Sequence, residues 1–515
     1  MRYCPFPAGF VLLLIAAAPS QPLDPAALLA LHARYVGWQF GDGTFTSMRI
    51  TGNVVNTQPD PGATPRPPAL VVRLTRGADF RETYTDAVTR RSDDNGFTGR
   101  VFWQSNDNGF THPIIGEAEK YDIDTELLFR EATATLTGSR RDPITIDGKR
   151  YPVVRVEPAA AFPIDLAVDP QTGAYVRAVV DPGGSYEATI DIVKYADVLP
   201  GKRMIAEYRI HDSHFTTEYT SFQANVPISD EGLHPPPQTA TWTFANPSPF
   251  PIDVAGGAFV LVHAGIDGKG GTFLLDTGAG DVVMTSRFAA LAHVRRVESS
   301  RIGGIGGTTS AESDIIDTLT VGGNTLSNVI ATSSPLGDYY HGLFGGYRGE
   351  TIDGIIGYDL FGGAVVKVNI GAQTMTILDP RTADLSKERG ILLNVDLSSD
   401  KPIIPMTLDG TIHVNALLDS GDSVGIGYAY HFAEKHHLTL LRWNGIAGGV
   451  GGYEGMRCGG IGELQIGTVV YEGERACAIG AIRADYFIVG IDFLKHFDWV
   501  FDYPAGQLIL EPIGG

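Results

Sequence analysis

The feature that most constrains this chain is a short motif that occurs twice, an apolar run that ends in Asp, then Thr or Ser, then Gly. The first copy ends in Asp276-Thr277-Gly278 and the second in Asp419-Ser420-Gly421. A duplication that repeats a carboxylate predicts that Asp276 and Asp419 meet across a pseudo-twofold axis. Two carboxyl groups in contact cannot both ionise readily, so they share a proton and can act together as acid and base.

The motif is the first of four landmarks that follow in the same order in both copies. After it come a glycine-rich hairpin, an apolar stretch that ends in Gly, and an apolar pair followed by Gly and a short helix-like segment. In the first copy the later landmarks span 303–307, 319–323 and 353–361, and in the second they span 447–452, 464–467 and 487–494. This ordered repetition is far more specific than a single Asp-Thr-Gly, which is also common in turns.

The ordered landmarks resemble the retroviral-type aspartic proteases, and two copies in one chain are similar to the bilobal pepsin arrangement. The resemblance covers about residues 250–513. It implies that Asp276 and Asp419 are the catalytic pair. The residues implied to support the pair are Thr277 and Ser420, through their hydroxyls, and Gly278 and Gly421, through close backbone approach. The implied flap candidates that close over an extended peptide are Gly304, Ile305, Gly306, Gly449, Val450 and Gly451.

The resemblance gives the hypothesis of an aspartic endopeptidase that acts on a peptide or an unfolded protein. In such a pair the ionised carboxylate deprotonates a bound water while the protonated carboxyl polarises the peptide carbonyl. This chemistry uses no cofactor and no metal. The shared proton predicts two separated apparent pKa values for the pair and an acid-leaning activity profile.

The composition and the positions of the turn-forming and proline residues predict a mainly β fold of several domains. The 515 residues are too many for one core, and the 63 glycines favour turn-rich β structure over long helices. The predicted divisions are a signal peptide at 1–20, an N-terminal β-rich domain at 21–232, a Pro-rich linker at 233–250, a first protease-like lobe at 251–384 and a second at 385–515.

The N-terminal domain is predicted to begin with a helix after Asp24-Pro25 and to continue as an antiparallel meander. Turn signals at Asp147-Gly148 and within 169–173 each separate two β-like runs, which predicts hairpins. This α+β pattern resembles the curved sheet of the LolA/LolB periplasmic lipoprotein carriers. The resemblance implies an open half-barrel that can hold an apolar ligand; the alternative is a β-rich accessory domain or pro-domain.

The N-terminus is typical of an export signal, because Arg2 precedes a short apolar core at 10–18 and small residues follow. The core is shorter than the ~20 residues that span a bilayer, so no transmembrane segment is expected after signal removal. The expected location is therefore periplasmic or extracellular. Export makes a disulfide between Cys458 and Cys477 plausible, and two buried free thiols are the alternative.

Other classes of function find little support in the sequence. The formal net charge of −20 argues against nucleic acid as a partner. His431, His436 and His437 lie close in sequence, but the chain lacks the H-E-x-x-H spacing of a zinc protease, so a solvated helix end is the better interpretation.

Two alternatives to an active aspartic protease remain. The second copy has Asp422 where the family usually has Ala or Ser, and a third carboxylate there either raises an apparent pKa of the pair or points outward. The chain is then a candidate for a catalytically silent peptide-binding or scaffold protein. A serine hydrolase is the other alternative, because Ser423 is the central residue of a G-x-S-x-G sequence.

Overall fold

The computed structural model describes residues 24–57, 66–211, 215–255, 259–304, 306–336, 351–438, 443–473, 475–480 and 486–513. The predicted signal peptide and the flap candidate Ile305 lie outside these residues. The fold is mainly β, which confirms the predicted class. The described helices are α1 Pro25–Val36, α2 Glu117–Phe129, α3 Ser286–Ala292, α4 Tyr358–Gly362, α5 Tyr430–Lys435 and α6 Ile491–Leu494, with 3-10 turns at Thr133–Thr135 and Tyr503–Ala505.

The N-terminal part forms one antiparallel sheet. Its strands in the described chain are β1 Ser47–Asn56, β2 Ala69–Arg76, β3 Asp79–Thr85, β4 Ser92–Phe97, β5 Phe102–Ser105, β6 Thr111–Ile114, β7 Gly138–Ile146, β8 Lys149–Val156, β9 Ile164–Val168, β10 Tyr175–Val180, β11 Ala188–Leu199, β12 Lys202–Ile210 and β13 Phe215–Ala224. Their spatial order is β6-β5-β4-β3-β2-β1-β13-β12-β11-β10-β9-β8-β7. Almost every strand therefore pairs with its neighbour in sequence, as a meander requires.

Local sequence explains these N-terminal elements. Helix α1 begins where the Asp24 side chain accepts a hydrogen bond from the Ala26 N–H, and it ends at Gly37 with φ of 77°. The β7–β8 hairpin turns at Asp147-Gly148, where both residues have positive φ, as a tight hairpin turn requires. Both features were predicted and are confirmed. The helix packs its buried residues, Leu28 and Leu29 among them, on a core shared with the sheet.

The first copy of the repeat builds most of a second sheet. The described strands of residues 241–378 are β14 Thr241–Thr243, β15 Phe250–Pro251, β16 Asp253–Ala255, β17 Phe259–Ile266, β18 Lys269–Leu275, β19 Val282–Thr285, β20 Arg295–Gly304, β21 Gly307–Val321, β22 Asn324–Ser334, β23 Gly354–Ile356, β24 Val365–Asn369 and β25 Thr374–Leu378. The sheet order is β14-β22-β19-β23-β18-β17-β21-β20, with β16 paired to β17.

The second copy repeats this plan. Its described strands are β26 Ile391–Asn394, β27 Ile403–Leu408, β28 Ile412–Asp419, β29 Ile426–Ala429, β30 Trp443–Gly449, β31 Gly452–Gly460, β32 Glu463–Ile466, β33 Val469–Glu472, β34 Arg475–Ile479, β35 Tyr486–Gly490, β36 Phe497–Asp502 and β37 Gln507–Pro512. The strand before each Asp motif pairs in parallel with a later strand of the same copy, β18 with β23 and β28 with β35. The sequence duplication is therefore also a duplication of strand pairing.

A third sheet joins the two copies. Its order is β15-β25-β24-β36-β37-β26, and the central pair β24–β36 brings one strand from each copy side by side. Large buried side chains such as Phe361, Trp499 and Phe501 lie in a core that extends through both copies. This shared sheet and core fix the two Asp motifs relative to each other.

The Pro-rich segment 233–250, which was predicted to be a linker, contains a short paired strand. Residues Thr241–Thr243 form strand β14, which pairs with β22 at Trp242 and Leu326. The prolines flank this strand instead of interrupting it, so they do not remove the N–H groups that the pairing needs. The segment therefore lies against the first copy.

Candidate active site

The two Asp residues of the repeated motif lie at equivalent ends of strands. Asp276 follows β18 and donates its backbone N–H to Ile356 O at 3.0 Å, whereas Asp419 ends β28 opposite Gly490 of β35. The parallel partner strand thus holds each loop from one side. Both Asp residues are partly exposed, while the Thr277 and Ser420 that follow them are buried. The two Asp residues are therefore accessible to solvent, whereas the residues that follow them are not.

The structure brings the carboxyl groups of Asp276 and Asp419 into a hydrogen bond with each other. Burial first, and then the charge of Asp419, raises the pKa of Asp276 well above its ordinary range. Burial also raises the pKa of Asp419, but its hydrogen bond from Asp276 and those from backbone N–H groups oppose the rise. Burial therefore favours a pair that retains a proton, because the pKa of each carboxyl is raised.

Backbone donors explain this asymmetry. Asp419 Oδ1 accepts hydrogen bonds from the N–H groups of Gly421 at 2.9 Å and Asp422 at 3.1 Å. Asp276 Oδ1 accepts from the N–H of Gly278 at 2.8 Å. Additional N–H donors stabilise the charged form of a carboxylate, so the second copy favours ionisation more than the first.

The hydroxyls of Thr277 and Ser420 lock the two Asp loops together. Thr277 Oγ1 donates to Leu418 O at 2.6 Å and accepts from the Ser420 N–H at 3.0 Å. In the reciprocal arrangement, Ser420 Oγ donates to Leu275 O at 2.8 Å and accepts from the Thr277 N–H at 3.1 Å. Each hydroxyl reaches into the other copy, so these buried hydrogen bonds set the position of the carboxyl groups.

The glycines of the motif leave room for the opposite carboxyl group. A Cβ at Gly278 would lie 2.4 Å from Asp419 Cγ, and a Cβ at Gly421 would lie 2.3 Å from Asp276 Cγ. Gly357 and Gly490 serve the same purpose behind the loops, where a Cβ would lie 2.3 Å from Ala279 O and 1.8 Å from Val424 O. No side chain fits at these distances, which explains why the landmarks contain glycine.

The predicted flap residues form the tips of two hairpins that touch each other. Gly304 ends β20, Gly449 ends β30, and the Gly306 N–H donates to Val450 O at 3.0 Å. Gly451 has φ of 92°, and a Cβ there would lie 2.3 Å from Gly307 C. The Val450 side chain packs on an apolar cluster of the first copy, against which Ala279 also packs. The two hairpin tips therefore contact each other, and the second one also contacts the first copy.

The Asp422 side chain does not point freely outward. Its Oδ1 accepts a hydrogen bond from the Val424 N–H at 2.9 Å, while its Oδ2 is buried without a partner in the structure. Burial first, and then the charge of Asp419, raises the pKa of Asp422 to about 7. Asp422 is thus neutral at acidic pH, where it adds no third negative charge to the pair.

The serine interpretation conflicts with the local fold. A nucleophile elbow places its Ser between a strand and a helix, at the top of a parallel sheet. Ser423 instead lies exposed in a loop between β28 and β29, and helix α5 begins only after β29. Ser423 therefore lacks the geometry that made it a candidate.

The remaining candidate residues lie on strands β31 and β34 and at the end of helix α5 in the second copy. Cys458 and Cys477 form a disulfide that links β31 to β34 in the second copy. The ring of His436 packs against Phe432 at the end of α5, 4.3 Å between centroids. Among the described residues, no group of His, Cys, Asp and Glu side chains is arranged to hold a metal ion.

Asn108 joins the N-terminal part to the helix that follows Gly357, and no pattern in the sequence predicts this contact. Asn108, in the turn between β5 and β6, donates to Asp359 Oδ1 at 2.8 Å, and Asp359 Oδ2 accepts from the Val282 N–H at 3.0 Å. Asn108 also exchanges hydrogen bonds with the backbone of Ile330. The only sequence signal was the turn-like Asn106-Asp107-Asn108-Gly109, which says nothing about a partner more than 200 residues away.

Comparison with known proteins agrees with part of this description. A sequence model of the family described as aspartyl protease matches residues 262–360, the part of the first copy that contains Asp276 and the helix behind it. No curated protein matches the chain. Residues 262–360 are thus an aspartyl-protease-like region of this chain.

Proposed function

We propose that the protein is an aspartic endopeptidase that hydrolyses peptide bonds with Asp276 and Asp419. The observation that carries the proposal is the hydrogen bond between these two carboxyl groups, contributed by different copies of the repeat. The family match at 262–360 supports a protease-like function for the first copy. The interlocking hydroxyls of Thr277 and Ser420 further favour a pair that is held in place for catalysis.

The asymmetry of the pair assigns a role to each carboxyl. Asp419, the ionised member, takes a proton from a water molecule, whose oxygen attacks the peptide carbonyl carbon. Asp276, the protonated member, donates its proton to the carbonyl oxygen as the tetrahedral intermediate forms. The proton held by Asp419 then passes to the amide nitrogen, the C–N bond breaks, and Asp276 recovers its proton from the intermediate. The hairpin tips around Gly306 and Val450 cover the bound peptide.

The cellular location and the domain boundaries of the protein are also part of the proposal. The export signal at 1–20 favours a periplasmic or extracellular location, and the domain boundaries at 21–232, 233–250, 251–384 and 385–515 follow the landmarks of the sequence. Among the described residues, no helix is both long and apolar enough to cross a bilayer. An apolar ligand in the N-terminal domain stays a prediction.

The test is hydrolysis of an unfolded protein such as reduced casein at mildly acidic pH, with and without a statine-type inhibitor. We expect turnover that the inhibitor abolishes. Asp276→Asn and Asp419→Asn should each lower kcat by about 1,000-fold or more, because neither carboxyl can serve as both acid and base. The matched control is Asp317→Asn, an exposed carboxylate on β21, which should leave turnover unchanged.

Three other outcomes would reject the proposal. Full turnover in either Asp variant would exclude the carboxyl pair as the catalyst. Loss of activity in Ser423→Ala alone would favour a serine hydrolase. Peptide binding without turnover in the unmodified protein, measured by fluorescence anisotropy, would favour the silent peptide-binding alternative.

A further inference from the structure

The turn between β5 and β6 extends from the N-terminal sheet into the first copy of the repeat. Its last residue, Phe110, is fully buried and belongs to the core that runs through both copies. At the end of helix α4, a Cβ on Gly362 would lie 2.9 Å from Phe110 Cβ, and one on Gly363 would lie 2.5 Å from Phe110 Cε1. These glycines leave room for a side chain of the N-terminal part, so that part supplies a piece of the protease-like core.

Local hydrogen bonds fix the conformation of this turn. Asn106 Oδ1 accepts hydrogen bonds from the backbone N–H groups of Asn108 at 3.2 Å and Phe110 at 3.1 Å. The carbonyl oxygen of Asn108 accepts two more, from the N–H groups of Thr239 at 3.2 Å and Ala240 at 2.9 Å. The backbone of Asn108 is therefore held on both sides, and its side-chain amide meets the first copy in a fixed position.

One buried carboxyl group connects Asn108 to the loop 276–281, the Asp276 loop. Asp359 is 0% exposed, and its Oδ1 accepts from the Asn108 amide at 2.8 Å while its Oδ2 accepts from the Val282 N–H at 3.0 Å. Val282 begins β19 directly after the Asp276 loop. The carboxyl group therefore fixes the far end of the loop that begins with Asp276.

Helix α4 holds the same loop at a second point and also contacts the N-terminal part. The Tyr358 N–H donates to Ala279 O at 2.9 Å. The Tyr358 hydroxyl forms a hydrogen bond of 2.7 Å with Nδ1 of His112, a buried residue of β6. Two residues that fix the Asp276 loop, Tyr358 and Asp359, are thus bound by side chains of the β5–β6 hairpin.

We propose that the β5–β6 hairpin positions the Asp276 loop, and that the N-terminal part is a permanent component of the active enzyme and not a released pro-domain. Asn108 is the positioning residue, and it acts through Asp359. The inference rests on the proposed peptidase function. Release of the N-terminal part would withdraw Phe110 from a packed core and leave the buried Asp359 carboxyl without a donor, and both changes are costly.

The first test is steady-state hydrolysis of reduced casein by full-length Asn108→Ala, at a temperature where its unfolding curve shows a folded protein. We expect kcat to fall by about tenfold or more and KM to change by less than about twofold, because a displaced carboxyl group impairs the chemical step. The matched control is Arg91→Ala, which removes two hydrogen bonds between the same two parts, to Asn328 on β22. This control should keep the kcat of the parent.

Exchange of the two side chains provides a rescue. Asn108→Asp alone removes the N–H donor, and Asp359→Asn alone turns an N–H group toward one of its two donors, so each should lower kcat. The double variant again places a donor opposite an acceptor. We expect its kcat to exceed that of either single variant by about threefold or more, because the two residues act as a pair.

Hydrogen exchange separates this inference from the proposed activity. Peptides that cover residues 276–285 should exchange about tenfold faster in Asn108→Ala than in the parent, because the loop loses its support. Peptides that cover 417–429 of the second copy should exchange alike, and Arg91→Ala should leave 276–285 unchanged. Absence of turnover in the parent would reject the peptidase proposal, whereas exchange would still test the connection from Asn108 to the Asp276 loop.

Cleavage between the two parts tests the pro-domain alternative. A recognition sequence for a site-specific protease, inserted after the exposed Pro227 between β13 and β14, allows the folded full chain to be cut. We expect the two pieces to elute as one complex with the kcat of the uncut chain. A severalfold rise in kcat on cutting, or parent values of both kcat and exchange in folded Asn108→Ala, overturns the proposal.

Discussion

The two copies of the repeat share the loop that holds the carboxyl group but differ in what lies behind it. In the first copy Asp359, two residues after Gly357, is buried and binds Asn108 of the N-terminal part. In the second copy Asp492, two residues after Gly490, is 46% exposed and pairs with Lys495, the residue that follows its own helix. The duplication is therefore symmetric at the site and asymmetric in packing. Both copies contact the N-terminal part, since Tyr186 donates a hydrogen bond to Asp396 and Asn415 donates one to Glu117 in the second copy.

The copies also differ around the carboxyl pair. Asp419 accepts hydrogen bonds from the N–H groups of both Gly421 and Asp422, whereas Asp276 receives one from Gly278. A repeat that was identical in detail would divide the proton equally. The difference makes Asp419 the easier of the two carboxyl groups to ionise, because additional N–H donors stabilise its charged form.

The largest effect expected in this comparison concerns the glycines that both Asp motifs share. Gly278→Ala and Gly421→Ala each place a methyl group within 2.6 Å of the opposite carboxyl group. We expect both variants to lose at least about 100-fold in kcat, because separation of the carboxyl groups by about 1 Å disrupts the shared proton. The measurement is steady-state hydrolysis of the casein substrate at the optimum pH. Unchanged kcat in either variant would contradict the described approach of the two loops.

A smaller effect tests the asymmetric packing. Asn108→Ala removes the donor to Asp359 and the hydrogen bonds to Ile330, and we expect a loss of about 2–3 kcal/mol in unfolding free energy because the buried partners lose their hydrogen bonds. Its counterpart, Asp492→Asn, breaks only the surface pair with Lys495 and should cost less than about 0.5 kcal/mol. Urea unfolding of both variants gives the comparison, and equal losses would show that the two helices are supported alike.

The next prediction concerns the interlocking hydroxyls. Thr277→Val leaves Leu418 O and the Ser420 N–H without their partner in a buried site, and we expect a cost of about 1–2 kcal/mol. Ser420→Ala removes the reciprocal hydrogen bonds and should cost a similar amount. Denaturant unfolding of each variant measures the cost. A loss in only one variant would mean that the lock is not reciprocal.

The smallest effect isolates Asp422, which has Ala279 as its counterpart in the first copy. Asp422 has a pKa of about 7, so it is neutral at the acidic limb of the pH–rate profile and becomes negative above pH 7. Its negative charge then opposes loss of the shared proton. It thereby raises the apparent pKa of the pair that governs the basic limb of the profile. We expect Asp422→Ala to move that limb by roughly half a unit toward lower pH and to leave the acidic limb in place. Asp317→Asn is the control, and a shift of the acidic limb would contradict this assignment.

Much of the architecture followed from the sequence because its signals are local. Proline and Asp at the start of α1, the Asp-Gly turn before β8 and the alternation of apolar residues each act over a few residues. The repeated landmarks also pointed to Asp276 and Asp419, since the same residues recur in the same order. The pairing of Thr241–Thr243 with β22 and the contact of Asn108 with Asp359 were not predictable in this way, because each joins segments far apart in the chain.

The order of residues specifies a mainly β protein with a repeated C-terminal half, in which each repeat has an Asp followed by a hydroxyl residue and a glycine. The tertiary structure sets the pKa values of the two carboxyl groups and the contacts that each copy makes with the N-terminal part. The physical reason is that identity and order along a chain specify local conformation, whereas a pKa and a buried contact depend on the solvation and charges of groups that the fold brings together.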